Sequence, residues 1–251
     1  MEILKFGDET KKRIVLIHGF QSPYQIWDKY IEHYKEDFCV IVPVLSGHNQ
    51  NKREEFNSFN DEISFFEKNY ISRFGKDVYA VFGMSMGGIF ASHLWQSQQL
   101  NIEKIILDGS PLVSYNKLVK KIIERFYLKI SHRTQKRDRK ALKQAVNSII
   151  LEENLHQLVN VIDNMSDKTI SNYINSIGDY KLPKNINTPN TQLYYFHGTA
   201  INEMYAKKTA KYINKHYKNA KIQCFKGLAH CEKSLLHPEE MIKEIDSILF
   251  E

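Results

Sequence analysis

Over the first 110 residues, short β-branched apolar runs alternate with stretches in which apolar side chains recur every three or four positions, a strand–helix alternation. Arg13-Ile14-Val15-Leu16-Ile17 predicts a buried strand that ends at His18-Gly19. Ser22-Pro23-Tyr24-Gln25 predicts a helix start, with Ser22 as N-cap, Pro23 at the first helical position and Gln25 closing a capping box. Ile26, Trp27, Tyr30, Ile31 and Tyr34 follow at helical spacing. A second strand over 38–44 leads into Ser46-Gly47-His48. A helix over 61–74 precedes a third strand over 77–82, which runs into Gly83-Met84-Ser85-Met86-Gly87-Gly88. A helix over 86–98 and a fourth strand over 102–107, ending at Asp108-Gly109, complete this half.

The alternation then stops. Between about 111 and 190 only helical periodicity is visible. Leu118, Val119, Ile122, Ile123, Phe126, Tyr127 and Ile130 read as one apolar face; Leu142, Val146, Ile149 and Ile150 read as another. Two short helices follow, marked by Leu155, Leu158, Val159 and Ile162 and by Ile170, Tyr173, Ile174 and Ile177. Strand–helix order resumes with strands over 192–196 and 221–225, a helix near 206–216, and a last helix opened by His237-Pro238-Glu239-Glu240. The pattern predicts an α/β protein with a mostly parallel central sheet flanked by helices. An all-helical segment, about 112–187, is inserted between two strands of a core formed by 1–111 and 188–251.

Composition adds little until charge is mapped. Hydrophobic residues make up 42% and charged residues 25% of the 251, as in ordinary globular proteins. No apolar run approaches the roughly 18 residues of a membrane span, so stable membrane insertion is not expected. The N-terminus shows no basic region followed by an apolar stretch, and the three cysteines form no disulfide framework, so a reducing cytoplasm is the expected setting. The net charge of +6 is uneven: 117–143 holds eleven Lys and Arg against Glu124 and Asp138, a local +9, which leaves −3 for the remainder. Such a segment reads as a solvated helical face or as a surface that attracts anions. Nucleic-acid binding is not expected, because Phe126 and Tyr127 fall in the apolar pattern and not on the charged stripe where bases would stack.

The strongest chemical signal is Gly83-x-Ser85-x-Gly87 between a predicted strand and a predicted helix. A nucleophile on a sharp strand-to-helix turn needs small neighbours, and the following helix N-terminus aims N–H groups at a developing oxyanion. His18-Gly19-Phe20-Gln21 ends an earlier strand and can bring a second N–H beside Ser85, so Phe20 and Met86 are the candidate oxyanion donors. Gly227-Leu228-Ala229-His230 places a histidine on a loop after a strand, and a serine hydroxyl needs such a base to take its proton.

These pieces resemble the α/β-hydrolase superfamily in one register along nearly the whole chain: His18-Gly19, Pro43 to Gly47-His48, Gly83-Met84-Ser85-Met86-Gly87-Gly88 and Gly227 to His230. The resemblance implies Ser85 as nucleophile and His230 as general base, with the helical insertion where the family carries a cap. The family's usual acid follows a strand as Gly-x-x-Asp. Here Gly198-Thr199-Ala200-Ile201 puts isoleucine at that position, with Glu203 the nearest carboxylate and Asp108, at the end of the strand before the insertion, the rival.

The remaining candidates read as structural. His48 is expected near the cleft, while His93 and His197 are expected to pack. Cys231 lies on a loop without an elbow. No metal spacing, dinucleotide fingerprint or phosphate-binding loop is present, so no cofactor and no metal are expected. The expected function is a serine hydrolase cleaving a small-molecule carboxylic ester, thioester or lactone through an acyl-enzyme. Cofactor-free C–C hydrolysis, a lyase step, and ligand binding without turnover are the alternatives, and oligomeric state stays open.

Overall fold

The structure, a computed structural model, describes residues 1–146 and 148–251. Seven strands form one sheet: β1 (Glu2–Phe6), β2 (Arg13–Ile17), β3 (Cys39–Val44), β4 (Asp77–Met84), β5 (Asn101–Asp108), β6 (Gln192–Gly198) and β7 (Lys221–Phe225). Their spatial order is β1-β3-β2-β4-β5-β6-β7. All neighbours run parallel except β1, which lies antiparallel to β3 with Glu2 opposite Val44 and Phe6 opposite Val40. The helices are α1 (Asp28–Tyr34), α2 (Phe59–Phe74), α3 (Met86–Ser97), α4 (Lys117–Gln135), α5 (Arg139–Val146), α6 (Leu155–Asn164), α7 (Asp167–Asp179), α8 (Met204–His216), α9 (Glu232–Leu236) and α10 (Pro238–Leu249).

The central strands are apolar over most of their length because both faces of the sheet are covered; β5 departs from this with Glu103 exposed and Lys104 buried. Side chains alternate along β2: Val15 and Ile17 join one core layer with Phe66, Phe90, Leu94 and Ile213, under α2, α3 and α8. Ile14 and Leu16 join the other layer with Trp27, Tyr30, Phe82 and Ile245, under α1 and α10.

Three local features differ from the sequence reading. A strand precedes residue 13: β1 is a half-buried edge strand, whose partial cover blurs its hydrophobic pattern. The chain after Gly19 does not enter α-helix at Pro23. Ser22 donates its N–H to Gly19, Pro23 is extended (φ −70°, ψ 154°), and a 3₁₀ turn over Tyr24–Trp27 precedes α1 with no side-chain cap. Ser22 therefore stands one residue too early to cap.

The third feature lies in α4. Its seven apolar residues span too wide an arc to share one packed face. Val119, Ile123, Tyr127 and Ile130 turn inward, while Leu118, Ile122 and Phe126 face solvent.

Helices α4 to α7 form the insertion between β5 and β6. Tyr173 of α7 anchors it: the ring stacks on Phe56 at 3.5 Å and the hydroxyl donates to Ser46 O at 2.8 Å. Tyr127 of α4 meets Phe20 edge-on at 4.9 Å. The insertion thereby lies over the C-terminal ends of the strands, where open α/β sheets place ligands.

Candidate active site

Ser85 sits alone between β4 and α3 with φ 52° and ψ −115°. A side chain in that region costs on the order of 1–3 kcal/mol, so the surroundings must hold it. Ser85 donates its N–H to Asp108 O at 2.7 Å, and Gly88 donates to Ser85 O at 3.1 Å. The glycines around it are required by close approach. A Cβ on Gly83 would stand 2.5 Å from Gly87 O, one on Gly87 2.2 Å from Ile17 O, and one on Gly88 1.8 Å from Ser110 Oγ. The turn is packed between β2, β4 and β5, and the serine hydroxyl projects from it.

His230 lies in the segment between β7 and α9. Its Nε2 is 2.8 Å from Ser85 Oγ, and its Nδ1 is 2.6 Å from Glu203 Oε1. The tautomer that satisfies both contacts carries the proton on Nδ1, donates it to Glu203 and accepts from the serine hydroxyl. Glu203 closes the 3₁₀ turn Ile201–Glu203 after β6 and is fully buried. Two contacts lock its turn to the histidine loop: Thr199 and Ala200 both donate N–H groups to Leu228 O at 3.0 Å. A Cβ on Gly198 would meet that same oxygen at 2.2 Å.

Burial alone would push the His230 imidazole towards neutrality. The hydrogen bond and charge of Glu203, with the charge of Asp108 behind, outweigh it and hold the pKa above the ordinary value of 6.5. About a third of the His230 side chain stays open, on the side of the cavity.

The structure therefore brings together Ser85, His230 and Glu203, and it puts Asp108 elsewhere. Asp108 Oδ2 accepts from Ser234 Oγ at 2.5 Å, and burial pushes its carboxyl up to about 6 despite that hydrogen bond. Cys231 is buried at the start of α9, and burial with the nearby Asp108 and Glu203 charges raises its thiol well above the usual range.

Phe20 follows Gly19, whose backbone lies against the elbow: a Cβ there would be 3.6 Å from both Ser85 Cβ and Met84 O. Met86 opens α3, so its N–H belongs to the first turn, which has no intrahelical acceptor. Two buried imidazoles brace the loops after β2 and β3, His48 among them, which the sequence places only near the cleft. His48 Nε2 accepts from Gln21 N–H at 3.0 Å, and His18 Nε2 accepts from Leu45 N–H at 3.2 Å. Burial lowers both pKa values, that of His18 to about 4, which keeps the two rings neutral and able to accept. His93 packs between Phe59 and Tyr180, and His197 is buried with Nδ1 2.7 Å from Gly198 O.

Ser85 and His230 open into a cavity of about 160 Å³. Its wall is mostly apolar: Phe20 from the core, and Tyr127, Ile130, Ile149, Leu158 and Ile162 from the inserted segment. Sequence reasoning missed this lining, because helical periodicity marks α4 and α6 as amphipathic without saying what their apolar sides cover. Among the described residues no group of three or more His, Cys, Asp or Glu side chains is placed to hold a metal ion.

Comparison with known proteins places this geometry in context. A family model described as alpha/beta hydrolase fold matches residues 12–222. The chain is 24% identical over 242 residues to a pimeloyl-[acyl-carrier protein] methyl ester esterase of Legionella pneumophila (strain Corby), with 94% of each chain covered. Among solved structures, a carboxylesterase study of Nitrososphaera gargenis gives a TM-score of 0.76 at 15% identity, covering 99% of this chain and 93% of that one. The 2-hydroxy-6-oxo-6-phenylhexa-2,4-dienoate hydrolase of Rhodococcus sp. strain RHA1 gives 0.74 at 19% identity, covering 98% and 92%.

Proposed function

For a chain that belongs to the alpha/beta hydrolase fold family, we propose a serine hydrolase that cleaves a carboxylic ester with an apolar acyl group through an acyl-enzyme on Ser85. The observation that carries this reading is the hydrogen-bonded row Ser85 Oγ, His230, Glu203, at 2.8 and 2.6 Å, with the serine on a strained elbow. The esterase relative supports the reaction class.

Ser85 Oγ attacks the ester carbonyl carbon while His230 Nε2 takes the hydroxyl proton. The negative charge that forms on the carbonyl oxygen is held by the N–H groups of Phe20 and Met86, and such donors contribute several kcal/mol in the transition state. Glu203 keeps the imidazole in the productive tautomer and stabilises the imidazolium. Collapse breaks the C–O bond, and the alcohol leaves with the proton from His230. Water then attacks the acyl-enzyme, again with His230 as base, which releases the acid and restores Ser85. Helices α4 to α7 act as a cap that supplies the apolar wall. Thioesters and lactones would follow the same steps.

A series of p-nitrophenyl esters tests this. Each buried methylene contributes about 0.8 kcal/mol, so kcat/KM should rise roughly threefold to fourfold per added methylene until the cavity is filled. Absence of turnover across the series would contradict the esterase reading and favour C–C bond hydrolysis or ligand binding at the same site.

A further inference from the structure

Most of the large apolar side chains exposed among the described residues lie on the inserted segment or beside the Glu203 turn. Of the eight exposed ones among the described residues, Leu118, Ile122 and Phe126 lie on α4, Ile149 follows α5, and Ile201 and Met204 flank Glu203. Phe126 and Ile149 also line the cavity that holds Ser85. Tyr205, next to Met204, meets Tyr115 at the foot of α4 with ring centroids 4.0 Å apart, so the patches adjoin.

The outer face of α4 repeats every four residues: Lys117-Leu118, Lys121-Ile122, Arg125-Phe126, then Lys129. All seven side chains are exposed, Leu118 at 69%, Ile122 at 56% and Phe126 at 52%. Cations elsewhere on the helix find carboxylates: Lys120 pairs with Asp179 and Arg133 with Asp138. Among the described residues Lys117, Lys121, Arg125 and Lys129 have no such partner, so this face keeps its full charge. Two full helical turns, about 12 Å, separate Leu118 from Phe126.

We propose that this face of α4 docks on an anionic lipid surface, with the mouth of the cavity turned towards it. A helix that carries large apolar residues in a row with Lys and Arg beside them sits at a bilayer interface: the apolar side chains enter the headgroup region, and the cations meet lipid phosphates. A second copy of the chain does not fit, since two such faces would set like charges against each other. An acidic groove on another protein would have to meet four unpaired cations as well as the apolar row, and the polyglutamate arm of the test below separates that case. An apolar ester dissolved in lipid would then reach Ser85 past Phe126; that last step rests on the esterase reading, and the docking does not.

Vesicle flotation tests the docking, with Ser85→Ala protein so that turnover plays no part. Phosphatidylcholine vesicles are compared with vesicles containing 30% phosphatidylglycerol, at 50 and 500 mM NaCl. We expect binding to the anionic vesicles at low salt and at least tenfold weaker binding at high salt, where screening is strong. Each cation near the surface contributes about fivefold, so Lys117→Gln, Lys121→Gln, Arg125→Gln and Lys129→Gln together should lower the partition coefficient at least about a hundredfold. Leu118→Gln with Ile122→Gln keeps the charge and should lower it about tenfold. Melting curves and circular dichroism check that both sets of variants, each made in the Ser85→Ala protein, fold. Wild-type-like binding by the apolar pair would reduce the effect to surface charge and overturn the proposal. So would failure of the parent protein to float, or binding to soluble polyglutamate as tight as to vesicles, which would point to an acidic protein partner.

Discussion

Oε1 of Glu203 stands 2.6 Å from Nδ1 of His230, while the Asp108 carboxylate is turned to Ser234. The length of the glutamate side chain makes the contact possible, since its Cα lies two positions beyond the place where the family pattern puts an aspartate. The 3₁₀ turn Ile201–Glu203 folds that extra chain back under the histidine loop.

The two carboxylates should separate cleanly in kinetics. Glu203→Gln removes the negative charge that holds the proton on Nδ1, and its amide NH2 can donate to Nδ1 and fix the wrong tautomer, a loss that can reach on the order of 10⁴ in turnover. We expect at least about a hundredfold loss of kcat for Glu203→Gln and less than tenfold for Asp108→Asn. The pH profile adds an independent reading. His230 must be neutral to act as base, and Glu203 holds its pKa above 6.5, so the acid limb of kcat/KM should lie above 6.5 in the parent enzyme. Removing the negative charge disfavours the imidazolium, so the limb should move to lower pH in Glu203→Gln. A limb that stays in place, or a reversed ranking of the two variants, would transfer the role to Asp108.

Asp108 should show itself in stability instead. Its folded carboxyl is raised from 3.8 to about 6, so between those values the folded state binds more protons than the unfolded state. Stability from this group therefore falls as pH rises from about 4 to 6, by on the order of 3 kcal/mol in all. Asp108→Asn removes that dependence, and its Tm relative to the parent should climb across this window. A constant difference from pH 4 to 7 would show that burial of Asp108 costs no such energy.

The elbow makes a steric prediction. Alanine at Gly87 would place Cβ 2.2 Å from Ile17 O and 2.7 Å from His18 O, both backbone atoms at the C-terminal end of β2. Gly87→Ala should destabilise by several kcal/mol or fail to fold. At Gly227 a Cβ meets nothing within 4 Å, and only its φ of +84° is unfavourable, so Gly227→Ala should lose about 1 kcal/mol. Equal urea midpoints for the two variants would contradict this packing.

Much of the core was legible in the sequence because a parallel strand buried on both faces shows a continuous apolar run, as over 14–17, 39–44, 78–84 and 105–107. Ser85 and His230 were legible because each follows a strand on a glycine-bounded turn. Edge strand β1 was not, since half-burial blurs its pattern. The outward row Leu118, Ile122, Phe126 is not separable in sequence from the inward side of the same apolar face, because periodicity reports an apolar side without saying whether protein or solvent faces it. Glu203 could be narrowed to one of two carboxylates and no further: the distance to His230 depends on how a 3₁₀ turn closes against a loop 27 residues away.

The central claim is that Ser85 is an activated nucleophile, and covalent labelling tests it most directly. A fluorophosphonate probe at neutral pH should add one adduct per chain, located at Ser85 by peptide mass spectrometry, and Ser85→Ala protein should take none while melting like the parent. A parent enzyme that resists the probe, or an adduct that persists in Ser85→Ala, would contradict the account.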